Sequence, residues 1–105
     1  MNDENSSEIV FENENVLAFR DLNPQAPTHI LVIPRKHIST INELEAEDAL
    51  LAGEIFLTAK NLAKVENIDQ DGFRTVFNCN KNGGQTVFHI HLHLLGGRKF
   101  NWPPG

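Results

Sequence analysis

The sequence predicts an α+β fold, a mainly antiparallel five-stranded sheet packed on one long helix. Three observations lead there. Short runs rich in β-branched and aromatic residues are separated by turn formers, one stretch shows leucines at helical spacing, and 105 residues suit one compact domain. Residues 1–7 are polar and acidic without periodicity and are expected to form a disordered tail, leaving 8–105 as the domain.

Taken in order, Glu8–Glu12 and Val16–Leu22 read as strands around the polar Asn13-Glu14-Asn15, a hairpin. Two prolines, Pro24 and Pro27, break the chain before His29–Ile33, an apolar run short enough for a buried strand that Pro34 ends. A helix is expected over about 43–66. Asn42 stands at its cap position with Glu45 three residues on, acids crowd its start, and Lys60 and Lys64 sit near its end, as the helix dipole favours. Leu44, Leu51, Ile55 and Leu62 give it one buried stripe. Phe73–Asn80 and Thr86–Leu95 then read as a second hairpin, turning at Asn82-Gly83.

Composition excludes several classes. Hydrophobic residues at 40% and charged ones at 22% are ordinary globular usage. No apolar run reaches the ~18 residues of a membrane span and no signal peptide is apparent, so a cytoplasmic protein without a membrane partner is expected. The single Cys79 can form neither an internal disulfide nor a thiolate zinc site, and is expected to be a small strand side chain. The net charge is −5, and five of the 14 acids lie in residues 1–14 with no base among them, leaving nine acids against nine Lys and Arg. A neutral body lacks the basic stripe that follows a nucleic-acid backbone, so no nucleic-acid partner is expected.

The chemistry concentrates in Thr86–Leu95. On a strand, His89, His91 and His93 share one face while Ile90, Leu92 and Leu94 take the other. Three readings are open: polar residues on a half-exposed sheet, metal ligation, or covalent catalysis. At ~3.3 Å per residue the outer two histidines lie ~13 Å apart, too far for all three to reach one zinc ion, though two plus a remote ligand such as His29 could. Imidazole, with an ordinary pKa near ~6.5, is largely neutral at pH 7 and can attack phosphorus, the central ring being best placed. Gly83-Gly84-Gln85-Thr86 adds unobstructed backbone N–H groups and a hydroxyl suited to a phosphoryl group. His37, in a basic stretch, and Arg98 with Lys99 read as surface residues.

His89-Ile90-His91-Leu92-His93-Leu94-Leu95 resembles the signature of the histidine triad superfamily of nucleotide hydrolases and transferases. Phe19–His29, Ile33–Ser39, Gly83-Gly84-Gln85 and Leu95–Gly105 are similar to its Hint branch, the purine nucleoside phosphoramidases. That resemblance implies a HIT-like fold whose sheet extends across a homodimer, a purine nucleoside monophosphate or phosphoramidate as the bound molecule, and no metal or other cofactor. It implies that His91 is the nucleophile, with His93, His29 and His89 assisting. It further implies that Asp21, Leu22, Asn78, Gly84, Gln85, Thr86 and Val87 bind the nucleotide with His91 and His93, and that Trp102 contacts the partner subunit. A lone tryptophan on a Pro-Pro-Gly tail has no evident home in its own small core, which also favours another chain. Thr86 stands where the branch commonly has serine. The branch's segment ahead of the strand near Glu8, which supplies apolar walls of the purine pocket, has no counterpart in residues 1–7, so weaker base preference is expected. The alternatives are a nucleotide-binding scaffold with weak hydrolysis and a zinc-dependent hydrolase.

Overall fold

The computed structural model describes residues 8–105, so the expected acidic tail at 1–7 lies outside the described residues. Ile9–Glu12 (β1) and Val16–Arg20 (β2) pair antiparallel, as expected. Asn13 makes the turn: its Oδ1 accepts the Asn15 and Val16 amides at 2.8 Å each, a side-chain substitute for a backbone turn. Thr28–Pro34 (β3) is buried along its whole length, and Pro34, which has no N–H to give a ladder, closes it. Phe73–Val76 (β4) and Leu92–Gly96 (β5) complete one sheet in the order β1-β2-β3-β5-β4, every neighbouring pair antiparallel.

The main helix, Ala49–Val65 (α1), starts later than the expected residue 43. Two 3₁₀ turns, Ile41–Glu43 and Ala46–Asp48, occupy the chain before it. Local caps cause the delay. Thr40, not Asn42, caps the first turn, its hydroxyl accepting the Asn42 amide at 3.1 Å; the buried Asp48 carboxylate accepts the Glu45 amide at 2.9 Å and Lys36 Nζ at 2.6 Å. Ile55 and Leu62 of the expected stripe are buried, with Ala59 and Ala63, against Val16, Ala18, Ile30, Val32, Leu92 and Leu94. Leu44 and Leu51 lie at the margin of that core, since the helix begins only between them. Arg20 ties β2 to the helix end through two bonds to Glu66, at 2.8 and 3.0 Å, and holds that carboxyl below its ordinary range.

The second hairpin keeps its antiparallel pairing but not its tight turn. The first strand ends at Val76 rather than Asn80, and the next begins at Leu92 rather than Thr86. Between them Asn80–Gly83 winds one helical turn (α2), closed by Gly84 at φ +83°, a left-handed conformation that glycine adopts without strain. The buried Gln85 enforces this path. Its Oε1 accepts the Asn80 amide at 2.8 Å, while its Nε2 donates to the carbonyls of Ser39 at 2.7 Å and Val87 at 3.1 Å. A buried amide satisfied on both ends outweighs the local preference for a two-residue turn.

Candidate active site

The strand register assembles the site. His29 pairs with Leu95 and Leu31 with His93, so the two histidines are diagonal neighbours on one face of the sheet. Leu17, Phe19, Leu31 and Ile33 share that face as a small buried apolar cluster; the opposite face packs on the helix. Along the triad segment the expected alternation holds, with His89, His91 and His93 half-buried and Ile90, Leu92 and Leu94 buried. Only His93 belongs to a strand, however. His89 and His91 lie ahead of the ladder, and the Ile90 amide bonds the Ile38 carbonyl at 2.8 Å instead.

Each ring's proton position follows from its partners, because a carbonyl only accepts and an amide only donates. His91 Nδ1 lies 2.8 Å from the His89 carbonyl, so it donates, and in the neutral ring the lone pair sits on Nε2. His89 Nε2 lies 2.7 Å from the Pro34 carbonyl and also donates, leaving the lone pair on Nδ1. The Gln25 amide donates to His29 Nδ1 at 3.0 Å, which puts the neutral ring's proton on Nε2. That proton faces His93 Nδ1 at 2.9 Å, with Asp21 Oδ2 at 3.4 Å, so His93 carries its own proton on Nε2. The rings of His29 and His93 are 5.2 Å apart and those of His91 and His93 4.9 Å.

Charge is unwelcome here. Burial, then the neighbouring charges of His91 and His29, pushes the His93 pKa down to about 4, against a smaller opposing pull from Asp21. Burial also lowers His29, opposed by Asp21, and lowers His89, opposed by its bond to Pro34. The three rings are neutral near pH 7.

Among the described residues, Asp21, His29 and His93 bring one ligand atom each within 4.8 Å of one another, the kind of set that could hold a metal ion. Its hydrogen bonding does not suit one. A metal-bound histidine normally donates its other ring N–H. Here the other nitrogen of His29 accepts an amide proton, so ligation through Nε2 would require an imidazolate or loss of the Gln25 bond.

The remaining expected residues surround the histidines at varying remove. Asp21 follows β2 and accepts the Asn23 amide at 2.8 Å through Oδ1. Leu22, beside it, is 68% exposed. Half-buried Asn78 follows β4, and Gly83 lies against its backbone, where an added Cβ would sit 3.7 Å from the Asn78 carbonyl carbon. Gly84 and Gln85 donate their own amides back to Lys81 and Asn80, both at 3.0 Å, and the Gln85 side chain is committed within the fold. Thr86 and Val87 are exposed on the approach to the triad. Trp102 is 82% exposed. Cys79 is half-buried outside any strand. His37 is the residue that sequence reasoning missed: exposed, as expected, it nonetheless brings Nδ1 to 3.3 Å from His89 Nδ1. No local signal marks it, since its partner is 52 residues away.

Fold and histidine arrangement define a protein of the histidine triad class, and comparison with known proteins agrees. The HIT domain model matches residues 2–100, and the chain belongs to that family. It is 50% identical over 92 residues to the purine nucleoside phosphoramidase of Escherichia coli, covering 88% of this chain and 77% of the relative. It is 52% identical over 99 residues to an uncharacterised HIT-like protein of Synechococcus elongatus, covering 94% and 86%. A HIT family hydrolase from Legionella pneumophila superposes with a TM-score of 0.94 at 56% identity, over 97% of this chain and 91% of the other. These relatives place the chain among HIT family hydrolases.

Proposed function

We propose that the protein hydrolyses the P–N bond of purine nucleoside 5′-phosphoramidates through a nucleotidylated His91. One observation carries the reading: the bond from His91 Nδ1–H to the His89 carbonyl selects the tautomer of the neutral ring whose lone pair is on Nε2. In the first step that lone pair forms a bond to phosphorus as the phosphorus–amine bond breaks, the departing nitrogen taking a proton from solvent that the second step's water returns. The ring becomes cationic, and the His89 carbonyl already bonded to Nδ1–H stabilises it. In the second step water attacks phosphorus and the bond to Nε2 breaks. Over both steps one water is consumed, its hydroxyl ending on phosphorus and its other proton on the amine.

The neighbours suit this chemistry. His93, with its proton on Nε2, can donate to a phosphoryl oxygen, and the exposed Thr86 offers a hydroxyl. Asp21 can accept from ribose hydroxyls through Oδ2. Exposed Leu22, beside Asp21, suits one face of a purine ring. Trp102 suits packing on a second copy of the chain, which light scattering at micromolar concentration tests: a monomer mass counts against it. The functional test is amine release from an adenosine phosphoramidate. His91→Ala is expected to abolish it, and equal rates in wild type and variant would reject the assignment. Binding of AMP without turnover by the wild type would instead mark a nucleotide-binding scaffold.

A further inference from the structure

We propose that His37 is a positioning residue for the triad, donating its ring Nδ1–H to His89 Nδ1 and so steadying the peptide whose carbonyl aims His91. The inference rests on the reading of His91 as the nucleophile, and it adds a residue outside the triad to that site.

The argument starts from where His89 lies. The strand ladder begins at Leu92, so the His89 carbonyl, the group that orients His91, is not fixed by sheet bonds. One short segment grips it instead. The Pro34 carbonyl takes the Nε2 proton of His89 at 2.7 Å, the Ile38 carbonyl takes the Ile90 amide at 2.8 Å, and the His37 ring closes on the remaining nitrogen of His89 at 3.3 Å. Two of these grips are backbone carbonyls that any sequence supplies. His37 is the one made by a side chain.

The chemistry at position 37 is then constrained. With its proton given to Pro34, His89 Nδ1 presents a lone pair and can accept only from a donor. His37 must therefore carry its proton on Nδ1, and the edge-on approach of the rings, 64° between planes with centroids 5.2 Å apart, suits such a bond. The adjacent cations do not compete for His89. Arg35 bonds Glu12 at 2.9 Å and the Asn13 carbonyl at 2.7 Å, and Lys36 is held by Asp48. Without the His37 donor, the His89 ring loses a contact that opposes rotation about its side chain. Its carbonyl then has more freedom, and His91 spends less time with its lone pair on Nε2.

Two variants separate positioning from simple packing. His37→Ala removes the donor, and His37→Asn keeps an amide N–H at about the reach of ring Nδ1. Steady-state kinetics with an adenosine phosphoramidate should show kcat about fivefold lower in His37→Ala, the weight of one neutral hydrogen bond, with KM unchanged, and His37→Asn restored to within about twofold of wild type. Long-range ¹H–¹⁵N spectra of the imidazoles should show one His91 tautomer in wild type and in His37→Asn, and a mixture in His37→Ala. An unchanged kcat in His37→Ala overturns the proposal, as does a raised KM at constant kcat, which would make His37 a substrate contact. His37→Asn as impaired as His37→Ala also overturns it. If the wild type shows no turnover at all, the phosphoramidase reading falls, and the tautomer spectra alone decide the positioning: a mixture in His37→Ala supports it and a single His91 form in every variant overturns it.

Discussion

Acidification should destabilise this protein through His93 before the carboxylates begin to protonate. The His93 pKa is about 4 in the folded chain, held down first by burial and then by the neighbouring histidines. In the unfolded chain it returns to its ordinary value near ~6.5. The unfolded state then binds more protons between those two values, so stability is fully present above the unfolded pKa and is lost as pH falls toward the folded one. Linkage between pH 7 and pH 5 gives a loss of about 2 kcal/mol for this ring. Water reaching the half-buried ring screens part of this, leaving about 1 kcal/mol as the expected figure. Geometry adds to burial, because the His29 Nε2 proton already faces His93 Nδ1 at 2.9 Å and a second proton there would meet it head-on. Urea unfolding of wild type and His93→Asn at pH 7 and pH 5 measures the difference, and NMR titration of the ring reads the pKa directly. His29 and His89 titrate in the same direction, so the variant should retain some acid sensitivity but about 1 kcal/mol less of it. Identical losses in wild type and variant, or a His93 ring that protonates near its ordinary value, would refute the reasoning.

Three other outcomes are expected. Gly96→Ala would place a Cβ 2.5 Å from Ile68 Cδ1 and 3.0 Å from Ile68 Cβ, and should cost about 1–3 kcal/mol in thermal or urea unfolding, relieved in Gly96→Ala/Ile68→Ala. Gln85→Leu leaves the Asn80 amide and the Ser39 carbonyl without their partner and should cost about 2–4 kcal/mol, with faster hydrogen exchange at the Asn80 amide; unchanged exchange would count against the strut described for Gln85. Asp21→Asn removes the charge that holds the His29 and His93 pKa values up, so both should titrate at lower pH by NMR, and KM for a phosphoramidate should rise more than kcat falls if Asp21 holds the ribose.

What was legible in the sequence was whatever depends on side-chain period alone. The alternation of histidine with Ile90, Leu92 and Leu94 survives because an extended chain turns its side chains to opposite sides whether or not a ladder forms beside it. The ends of elements were not legible, because polar side chains decide them through bonds of their own. Thr40 and Asp48 hold two 3₁₀ turns where acids and leucines at helical spacing suggest a helix already begun, and Gln85 bends the chain through α2 where Asn82-Gly83 suggests a hairpin. The convergence of His29 on His93 depends on the β3–β5 register, and that of His37 on His89 on a grip by Pro34 and Ile38; neither leaves a short-range mark. The deepest part of the site was least legible. The neutral-ring lone pairs of His29, His89 and His91 are placed by the Gln25 amide and by the carbonyls of Pro34 and His89, main-chain groups that side-chain identity does not mark. Residue identity therefore names the reacting rings, while the backbone decides which nitrogen of each ring is free to react.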